Sequence, residues 1–251
     1  MPIFLGNHLI SLQSVDSTNT FAQQLLNEKK AFDGTVITAK KQISGRGQRG
    51  TSWVSEPNTN LLFTFILKDN ATPVQHQFYF NMAISVGIVN FLKSKISKHH
   101  SIAIKWPNDI LVNTNKIAGI LIENTISGSF ISNSIIGIGL NVNQMNFPFF
   151  DGRKPTSLAI LENKIFDLQT CLHQLLSSIE QQVMNFRNGK LNEIYVEYIQ
   201  LLYRRNIPTE FLFRDEKIVA TVMDVSKYGK LMVEIENKIM ECDLKEITFL
   251  E

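Results

Sequence analysis

Residues 102–141 read IAIKWPNDILVNTNKIAGILIENTISGSFISNSIIGIGLN, and this stretch carries more information about the fold than any other part of the chain. It is rich in isoleucine, leucine and valine, and its apolar runs have the length of β-strands with short polar turns between them. The stretch predicts four strands, over 102–105, 110–113, 117–124 and 130–141.

The sequence before this stretch alternates between helix and strand patterns. A helix is predicted to begin near Ser17, because Ser-Thr-Asn is a favourable helix start and apolar residues recur behind it. Strands are predicted at 35–41, which is rich in β-branched residues, and at 61–67, an unbroken apolar run typical of a strand buried on both faces. A helix is predicted over about 76–97.

The sequence after Pro148 changes first to helices and then to short strands. The apolar spacing predicts two helices, over about 168–186 and 191–202. The short strands that follow predict a small antiparallel barrel, so the expected domains are 1–204 and 205–251. The strands of this barrel are predicted at 211–213, 218–225, 231–236 and 238–243.

The composition is that of an ordinary globular protein. The chain has 251 residues, of which 44% are hydrophobic and 19% are charged, and these values exclude a disordered chain. Two cysteines exclude a disulfide framework, and a net charge of +2 argues against a general polyanion binder. No apolar run is long enough to span a membrane and the N-terminus lacks a secretory signal, so the expected location is cytoplasmic.

A glycine-rich segment, GRGQRG at 45–50, follows the strand at 35–41. It matches the GxGxxG pattern, but the residues behind it do not start a helix, which excludes a dinucleotide-binding turn. It is not a P-loop either, because no Gly-Lys-Ser/Thr follows. What remains is a flexible loop with two arginines, which either binds a phosphate or carboxylate or is simply a solvated basic loop.

Three further segments carry residues suited to a ligand. Lys105, Asn108 and Asp109 stand at a predicted strand end, where they either face a cleft, with the carboxylate holding Mg²⁺, or form a hairpin corner. Lys116 opens an apolar strand and either points at a phosphate or is an ordinary surface lysine. The Gly-Ile-Gly at 137–139 indicates close approach of a ligand or a neighbour to the backbone.

These segments occur in a fixed order along the chain. The order is Ser17-Thr18-Asn19, Gln42, the loop 45–50, Trp53, KWPND at 105–109, KIAG at 116–119 and GLN at 139–141. As a set they resemble the biotin–protein ligases, strongly over about 10–160, and the tail from about 205 is similar to the family's SH3-like domain. The resemblance implies an α+β fold, a mixed β-sheet flanked by helices with a small C-terminal SH3-like β-barrel.

The resemblance implies a biotin–[acetyl-CoA-carboxylase] ligase. Such an enzyme joins biotin to ATP as biotinyl-5′-AMP and transfers biotin to one lysine of a biotin carboxyl carrier protein. The implied cofactors are ATP and Mg²⁺, with biotin as the substrate. Ser17, Thr18 and Gln42 are implied to line the pocket for the ureido head, whose acceptor and two N–H donors suit hydroxyl and amide partners.

The resemblance also assigns individual roles. The implied catalytic residues are Arg46, Lys116 and Asp109, and Asp109 is also the implied metal ligand. The implied biotin-binding residues are Ser17, Thr18, Asn19, Gln42, Gly45, Arg46, Gly47, Gln48, Lys116 and Gly119. The implied nucleotide-binding residues are Arg49, Trp53, Lys105, Asn108 and Asn141, with Trp53 near the adenine.

Two departures from the family pattern affect the expectations. Gln48 stands where many members have arginine, and a neutral amide holds a phosphate less strongly. Only about 15 residues precede Ser17, so the expected protein is a short form without the N-terminal DNA-binding domain, a monomer or homodimer that binds neither DNA nor membrane. The alternatives are a lipoate- or octanoate-type acyl ligase of related fold and a catalytically silent biotin-binding module.

Overall fold

The computed structural model describes residues 5–69, 71–148, 154–244 and 246–250, except for the side chain of Arg49. The first part contains seven strands: β1 (Leu9–Leu12), β2 (Val36–Ala39), β3 (Leu61–Lys68), β4 (Ile102–Lys105), β5 (Asp109–Val112), β6 (Asn115–Ser127) and β7 (Phe130–Leu140). They form one sheet in the order β1-β2-β3-β7-β6-β5-β4. The pairing of β1 with β2 is parallel and the remaining pairings are antiparallel, which confirms the predicted mixed sheet.

Helices cover both faces of this sheet. They are α1 (Thr18–Asn27), α2 (Gln77–Lys93), α3 (Leu158–Glu162), α4 (Leu168–Arg187) and α5 (Leu191–Gln200). Ala22 of α1 packs with Ile37 and Ile66 on one face, whereas Val36 and Phe65 point to the other face and join the core with α2 and α4. Every residue of β3 except its last is therefore buried, as its unbroken apolar run predicts.

The C-terminal part is a second sheet. Its strands are β8 (Pro208–Phe213), β9 (Glu216–Val225), β10 (Leu231–Ile235), β11 (Lys238–Cys242) and β12 (Ile247–Phe249). They run antiparallel in the order β11-β10-β9-β8-β12. This five-stranded antiparallel sheet agrees with the predicted small SH3-like unit, although no pairing between the outer strands β11 and β12 closes it into a barrel in the described residues. In the described part of the chain, the short β12 pairs with β8.

The predicted helices and strands are present, although their first and last residues differ from the prediction. Three short helices or strands were not predicted. The helix expected over 76–97 ends at Lys93, and the Ser94 hydroxyl donates to the Phe91 carbonyl just behind it, at 2.6 Å. The elements that the sequence did not predict are β1, α3 and β12. The division at 204/205 stays a prediction. Among the described helices, none has both the length and the apolar character needed to cross a bilayer.

Candidate active site

One cleft of about 370 Å³ brings most of the predicted site residues together. A volume of this size is typical of a small-molecule site. The predicted residues that line it are Ser17, Thr18, Asn19, Gln42, Arg46, Gly47, Gln48, Trp53, Lys105, Asn108, Asp109, Lys116 and Gly119. Residues separated by more than a hundred positions thus meet above the middle of the seven-stranded sheet.

Two predicted residues lie outside the cleft lining. Asn141 lies outside the cleft lining, and its buried side-chain amide donates to the Thr156 carbonyl at 3.0 Å. Gly45 lies beside the cleft, where an added Cβ would sit 2.4 Å from the Trp53 carbonyl oxygen. The close approach explains why glycine is needed at this position. The side chain of Arg49 lies outside the described part of the chain.

Thr18 and Gln42 form a polar end of the cleft. The side-chain oxygen Oε1 of Gln42 accepts from the Thr18 backbone N–H at 2.7 Å and from the Thr18 hydroxyl at 3.0 Å. This arrangement turns the amide nitrogen of Gln42 away from α1, where it remains a donor for a ligand. Ser17 is the N-cap residue of α1 and its side chain makes no capping hydrogen bond, so its hydroxyl is not committed to the helix.

Thr64 and Asn19 continue this polar end into the sheet. The Thr64 hydroxyl lies 2.7 Å from the Thr18 hydroxyl and 2.7 Å from Oδ1 of Asn19. The side-chain amide of Asn19 donates to Oε2 of Glu123 at 2.7 Å. Because Thr18, Asn19 and Thr64 are buried, these hydrogen bonds fix the polar end in place.

Two glycines form the floor of the cleft. Gly119 of β6 and Gly139 of β7 are direct Cα partners across the sheet. An added Cβ at Gly139 would lie 2.3 Å from Cε2 of Trp53, and one at Gly119 would lie 3.0 Å from its Cζ3. The glycines therefore make a flat apolar surface on which a ring system can lie, and in the structure Trp53 lies there. Its indole N–H is buried without a hydrogen-bond partner among the described residues.

Lys116 and Asp109 form the charged end of the cleft. Nζ of Lys116 lies 2.7 Å from Oδ1 of Asp109 and 5.5 Å from the centre of the Trp53 ring. Asp109 is the Cα partner of Gly119, so the ion pair adjoins the glycine floor. Asn108 lines the same cleft, and its side-chain amide donates to the Ile120 carbonyl at 2.8 Å.

The glycine-rich loop covers one side of the cleft. It is tied by the Gly47 N–H to the Thr51 carbonyl at 2.7 Å, and by the Trp53 N–H to the Gly45 carbonyl at 2.9 Å. Nη2 of Arg46 lies 2.7 Å from both carboxylate oxygens of Glu123 on β6. The loop is thus joined to the sheet through an arginine whose partner the sequence did not single out.

The C-terminal sheet borders the same cleft. Leu244, Ile247, Thr248 and Phe249 are among its lining residues, and Nζ of Lys105 lies 5.2 Å from the centre of the Phe249 ring. This contribution was not predicted, since nothing in the tail sequence indicates which strand faces the larger sheet.

Two further residues were missed, and each had a weak signal. Thr64 is the one polar residue inside the apolar run at 61–67, and Glu123 is an acidic residue inside an apolar strand. Trp106, by contrast, fits the structural interpretation of its motif. It is buried and its indole donates to the Gly229 carbonyl at 2.9 Å, which joins the KWPND corner to the C-terminal sheet.

The cleft therefore combines a polar end, an apolar floor and a charged end with the Lys116–Asp109 ion pair, and Arg46 and Lys105 also line it. This combination defines a site for an elongated small molecule with a polar head and an anionic tail. A model of the biotin/lipoate A/B protein ligase family matches residues 11–141, just over half of the chain. The chain belongs to this family.

The curated relatives and the solved structures agree with this assignment. The chain is 32% identical over 184 residues to a bifunctional ligase/repressor of Bacillus spizizenii, covering 72% of this chain but only 55% of the relative. It therefore spans about half the length of that relative. It is 24% identical over 222 residues to a biotin–[acetyl-CoA-carboxylase] ligase of Mycobacterium tuberculosis, covering 87% of this chain and 80% of that one.

A solved structure shares the fold over nearly the whole chain. It is the biotin protein ligase of Aquifex aeolicus in complex with biotin and ATP, with a TM-score of 0.77 and 26% sequence identity. The superposition covers 96% of this chain and 98% of the other. The likeness includes the C-terminal sheet as well as the seven-stranded one.

Proposed function

We propose that the chain is a biotin–protein ligase, which activates biotin with ATP as biotinyl-5′-AMP and transfers it to a lysine of a biotin carboxyl carrier domain. The observation that carries the proposal is the order of features along the cleft. The polar end at Thr18 and Gln42, the glycine floor and the cations Arg46 and Lys116 match the ureido head, the apolar body and the carboxylate of biotin.

The polar end favours biotin over a lipoyl or octanoyl group within the same family. Gln42 keeps an amide donor for a ligand, and the adjoining hydroxyls of Ser17 and Thr18 can pair with a cyclic urea. A lipoyl or octanoyl group has no polar head, so it would leave the side-chain amide nitrogen of Gln42 and the buried Ser17 hydroxyl without a ligand partner. Each unpaired group costs about 1–3 kcal/mol, which is enough to discriminate between the two substrates.

The charged end of the cleft suits the first step of the reaction, in which biotin and ATP form biotinyl-5′-AMP. A biotin carboxylate must approach the α-phosphate of ATP, and the two anions repel each other. Arg46 and Lys116 reduce this repulsion and stabilise the charge on the phosphoryl oxygens as the pyrophosphate leaves. Lys116 lines the cleft and is held there by Asp109 at 2.7 Å.

The charged end of the cleft could accept a Mg²⁺ ion that is bound mainly by the phosphates of ATP. No group of three or more acidic, histidine or cysteine side chains lies together in the described residues. Asp109 is the carboxylate that the cleft offers, and Mg²⁺ commonly takes one or two carboxylates together with substrate phosphates and water. Asp109 would hold the ion, and the ion would supply additional positive charge at the phosphates.

The second step requires the acceptor lysine to reach the mixed anhydride. The M. tuberculosis relative is a biotin–[acetyl-CoA-carboxylase] ligase, which supports a carboxylase carrier domain as the partner. The glycine-rich loop and the C-terminal residues that border the cleft would both face this partner. The absence of DNA binding, the monomeric or dimeric state and the cytoplasmic location stay predictions.

The test is biotin-dependent ATP–pyrophosphate exchange by the purified chain with Mg²⁺, with lipoate as a parallel substrate. We expect exchange with biotin, and loss of about 10²-fold in a Lys116→Gln variant. Exchange with lipoate alone would assign the chain to the other branch of the family. Binding of biotin without any exchange would identify a silent binding module. A positive result leads to labelling of a carrier domain as the next measurement.

A further inference from the structure

Glu123 occupies a junction between the glycine-rich loop and the polar end of the cleft. It lies on β6, opposite Ile135 of β7. One of its carboxylate oxygens accepts from the Asn19 amide at 2.7 Å, and both oxygens lie 2.7 Å from Nη2 of Arg46. The same carboxylate thus connects a buried residue of α1 with an arginine of the loop.

An ion pair between two partly exposed side chains usually contributes little, because holding both side chains in one geometry costs entropy. The pair here differs because the carboxylate is already oriented. Asn19 is 3% exposed, and its other amide atom is fixed by the Thr64 hydroxyl at 2.7 Å. Glu123 is therefore held by the rigid part of the protein, and the cost of ordering falls mainly on Arg46.

The way in which Glu123 contacts Arg46 leaves the guanidinium able to bind a second anion. A guanidinium has five N–H donors, and both oxygens of Glu123 approach the same nitrogen, Nη2. Nε and Nη1 are not used by Glu123, and Arg46 lines the cleft. One arginine can then bridge Glu123 on one side and a ligand carboxylate or phosphate on the other.

We infer that Glu123 is a positioning residue that holds the guanidinium of Arg46 over the cleft, ready for the carboxylate and α-phosphate of the reacting substrates. The inference rests on the proposed function, and it adds a residue to which neither the sequence nor the family resemblance assigned a role. Glu123 acts through Arg46 and does not itself contact the reacting atoms. Its loss should therefore affect the rate of adenylation more than the affinity for biotin.

The test uses Glu123→Gln, which keeps the size and the acceptor for Asn19 but removes the charge that holds Arg46. We expect kcat of biotin-dependent pyrophosphate exchange to fall by about tenfold, since small misplacement of a catalytic group has large effects. KM for biotin should change by less than about threefold, and Tm should stay the same. In an Arg46→Gln background the same substitution should have no further effect on kcat.

The matched control is Asp33→Asn. Asp33 also accepts a hydrogen bond from a fixed donor, the Lys68 backbone N–H at 2.8 Å, and pairs with an arginine, Arg187, at 3.3 Å. It lies outside the cleft lining, so its substitution should leave both kcat and KM unchanged. Equal kcat in Glu123→Gln and the wild type would overturn the inference, as would an undiminished effect in the Arg46→Gln background.

A second measurement separates the inference from the proposed function. Amide hydrogen exchange over 45–53 in the ligand-free protein should become faster in Glu123→Gln than in the wild type and stay unchanged in Asp33→Asn. If the wild type shows no exchange of pyrophosphate, the proposed function fails, and the hydrogen exchange of this loop still decides whether Glu123 holds Arg46. Unchanged protection of the loop would overturn the inference in either case.

Discussion

The indole of Trp53 lies over Gly139, at a distance that no larger residue at position 139 would allow. A Cβ built on Gly139 would be 2.3 Å from Cε2 of Trp53 and 2.6 Å from Cζ2. The neighbouring glycine, Gly119, is the Cα partner of Gly139 and lies under the same ring. The glycine floor is therefore covered by a tryptophan of the segment that follows the loop.

A Gly139→Ala substitution should displace this indole and destabilise the protein. The added methyl group overlaps the ring, and forcing an extra carbon into a packed site typically costs about 1–3 kcal/mol. Urea denaturation of the variant measures the cost. In a Trp53→Ala background the ring is gone, so Gly139→Ala should cost less than about 1 kcal/mol there. An equal cost in both backgrounds would show that the indole is not what fills the space.

The same substitution should also reduce ligand binding. Under the proposed function the glycine floor is where the apolar body of biotin lies, so a methyl group there removes contact area for the ligand. We expect the affinity for biotin in Gly139→Ala to fall at least tenfold by calorimetry, and the Trp53→Ala change should not restore it. Restored affinity in the double variant would show that only the displaced indole blocks the site.

Most strands of the seven-stranded sheet could be predicted, because the residue types within each strand and in the turns beside it are enough to identify them. β-Branched runs and turn residues over 102–141 specify β4 to β7, and the structure differs only in the ends of these strands. The missed strand β12 has three residues, and β1 has four with half-exposed alternation. Such short segments become strands because they can pair with the edge strand of a sheet, and their own sequence does not show that this partner is available.

The candidate site was predicted where its residues stand in compact motifs, and missed where it depends on contacts across the fold. Thr64 reaches Thr18 from 46 positions away, and Glu123 reaches Arg46 from 77. A single sequence does not show which polar residue of a strand meets which loop. For Asn141 the structure shows a hydrogen bond to the Thr156 carbonyl and no place in the cleft lining. Its nucleotide-binding role stays a prediction.

Under the proposed function, an Asp109→Asn variant should impair the transfer of biotin to the acceptor lysine. That lysine must lose a proton before it attacks, and its usual pKa is about 10.4. Asp109 is the carboxylate at the charged end, and it would become available as a proton acceptor if Lys116 paired with the phosphate instead. General-base catalysis typically contributes about 10²–10⁴-fold, so we expect single-turnover transfer from preformed biotinyl-AMP to slow by at least 10²-fold.

A suitable control for Asp109→Asn is Asp243→Asn. Asp243 also pairs with a lysine, Lys230, at 3.6 Å, but it is exposed, follows the end of β11 and is not among the residues that line the cleft. Its substitution should leave the transfer rate unchanged. Normal transfer by Asp109→Asn would remove the proton-accepting role from this residue, and desolvation of the lysine would then be the better explanation.

The loop at 45–50 should become more protected when the intermediate binds. Its glycine content and its few backbone ties indicate low local stability, which is typical of segments that close over a ligand. Hydrogen exchange with and without a non-hydrolysable biotinyl-AMP analogue measures this change. Slower exchange in the loop, with unchanged exchange in β3, is expected. Equal protection in both states would argue against closure, and the intermediate would then need another shield from water.

Two tyrosines on α5 differ in whether their hydroxyl groups have a hydrogen-bond partner, so their effects on stability can be compared. The Tyr195 hydroxyl lies 2.6 and 2.5 Å from the carboxylate oxygens of Asp224 and joins α5 to β9. The Tyr198 hydroxyl is buried and has no hydrogen-bond partner among the described residues. Burial raises the pKa of both side chains, and for Tyr195 the hydrogen bond to Asp224 raises the pKa further.

The two Tyr→Phe variants should therefore change stability in opposite directions. Tyr195→Phe loses a hydrogen bond to a charged group and should lower the free energy of unfolding by about 1.5–3 kcal/mol, whereas Tyr198→Phe removes an unsatisfied buried hydroxyl and should raise it by about 1 kcal/mol. Urea denaturation at pH 7 measures both. Destabilisation by Tyr198→Phe would show that this hydroxyl has a partner, such as a buried water.

The pH dependence gives a further check on Tyr195. Its pKa is higher in the folded protein than in the unfolded chain, so the native state holds the phenol proton more tightly. The stability from this proton is fully present below the unfolded pKa of about 10 and is lost as the pH rises towards the folded pKa. The difference in unfolding free energy between the wild type and Tyr195→Phe should therefore narrow above about pH 10. A constant difference up to pH 11 would mean that Asp224 does not hold the phenol in its protonated form.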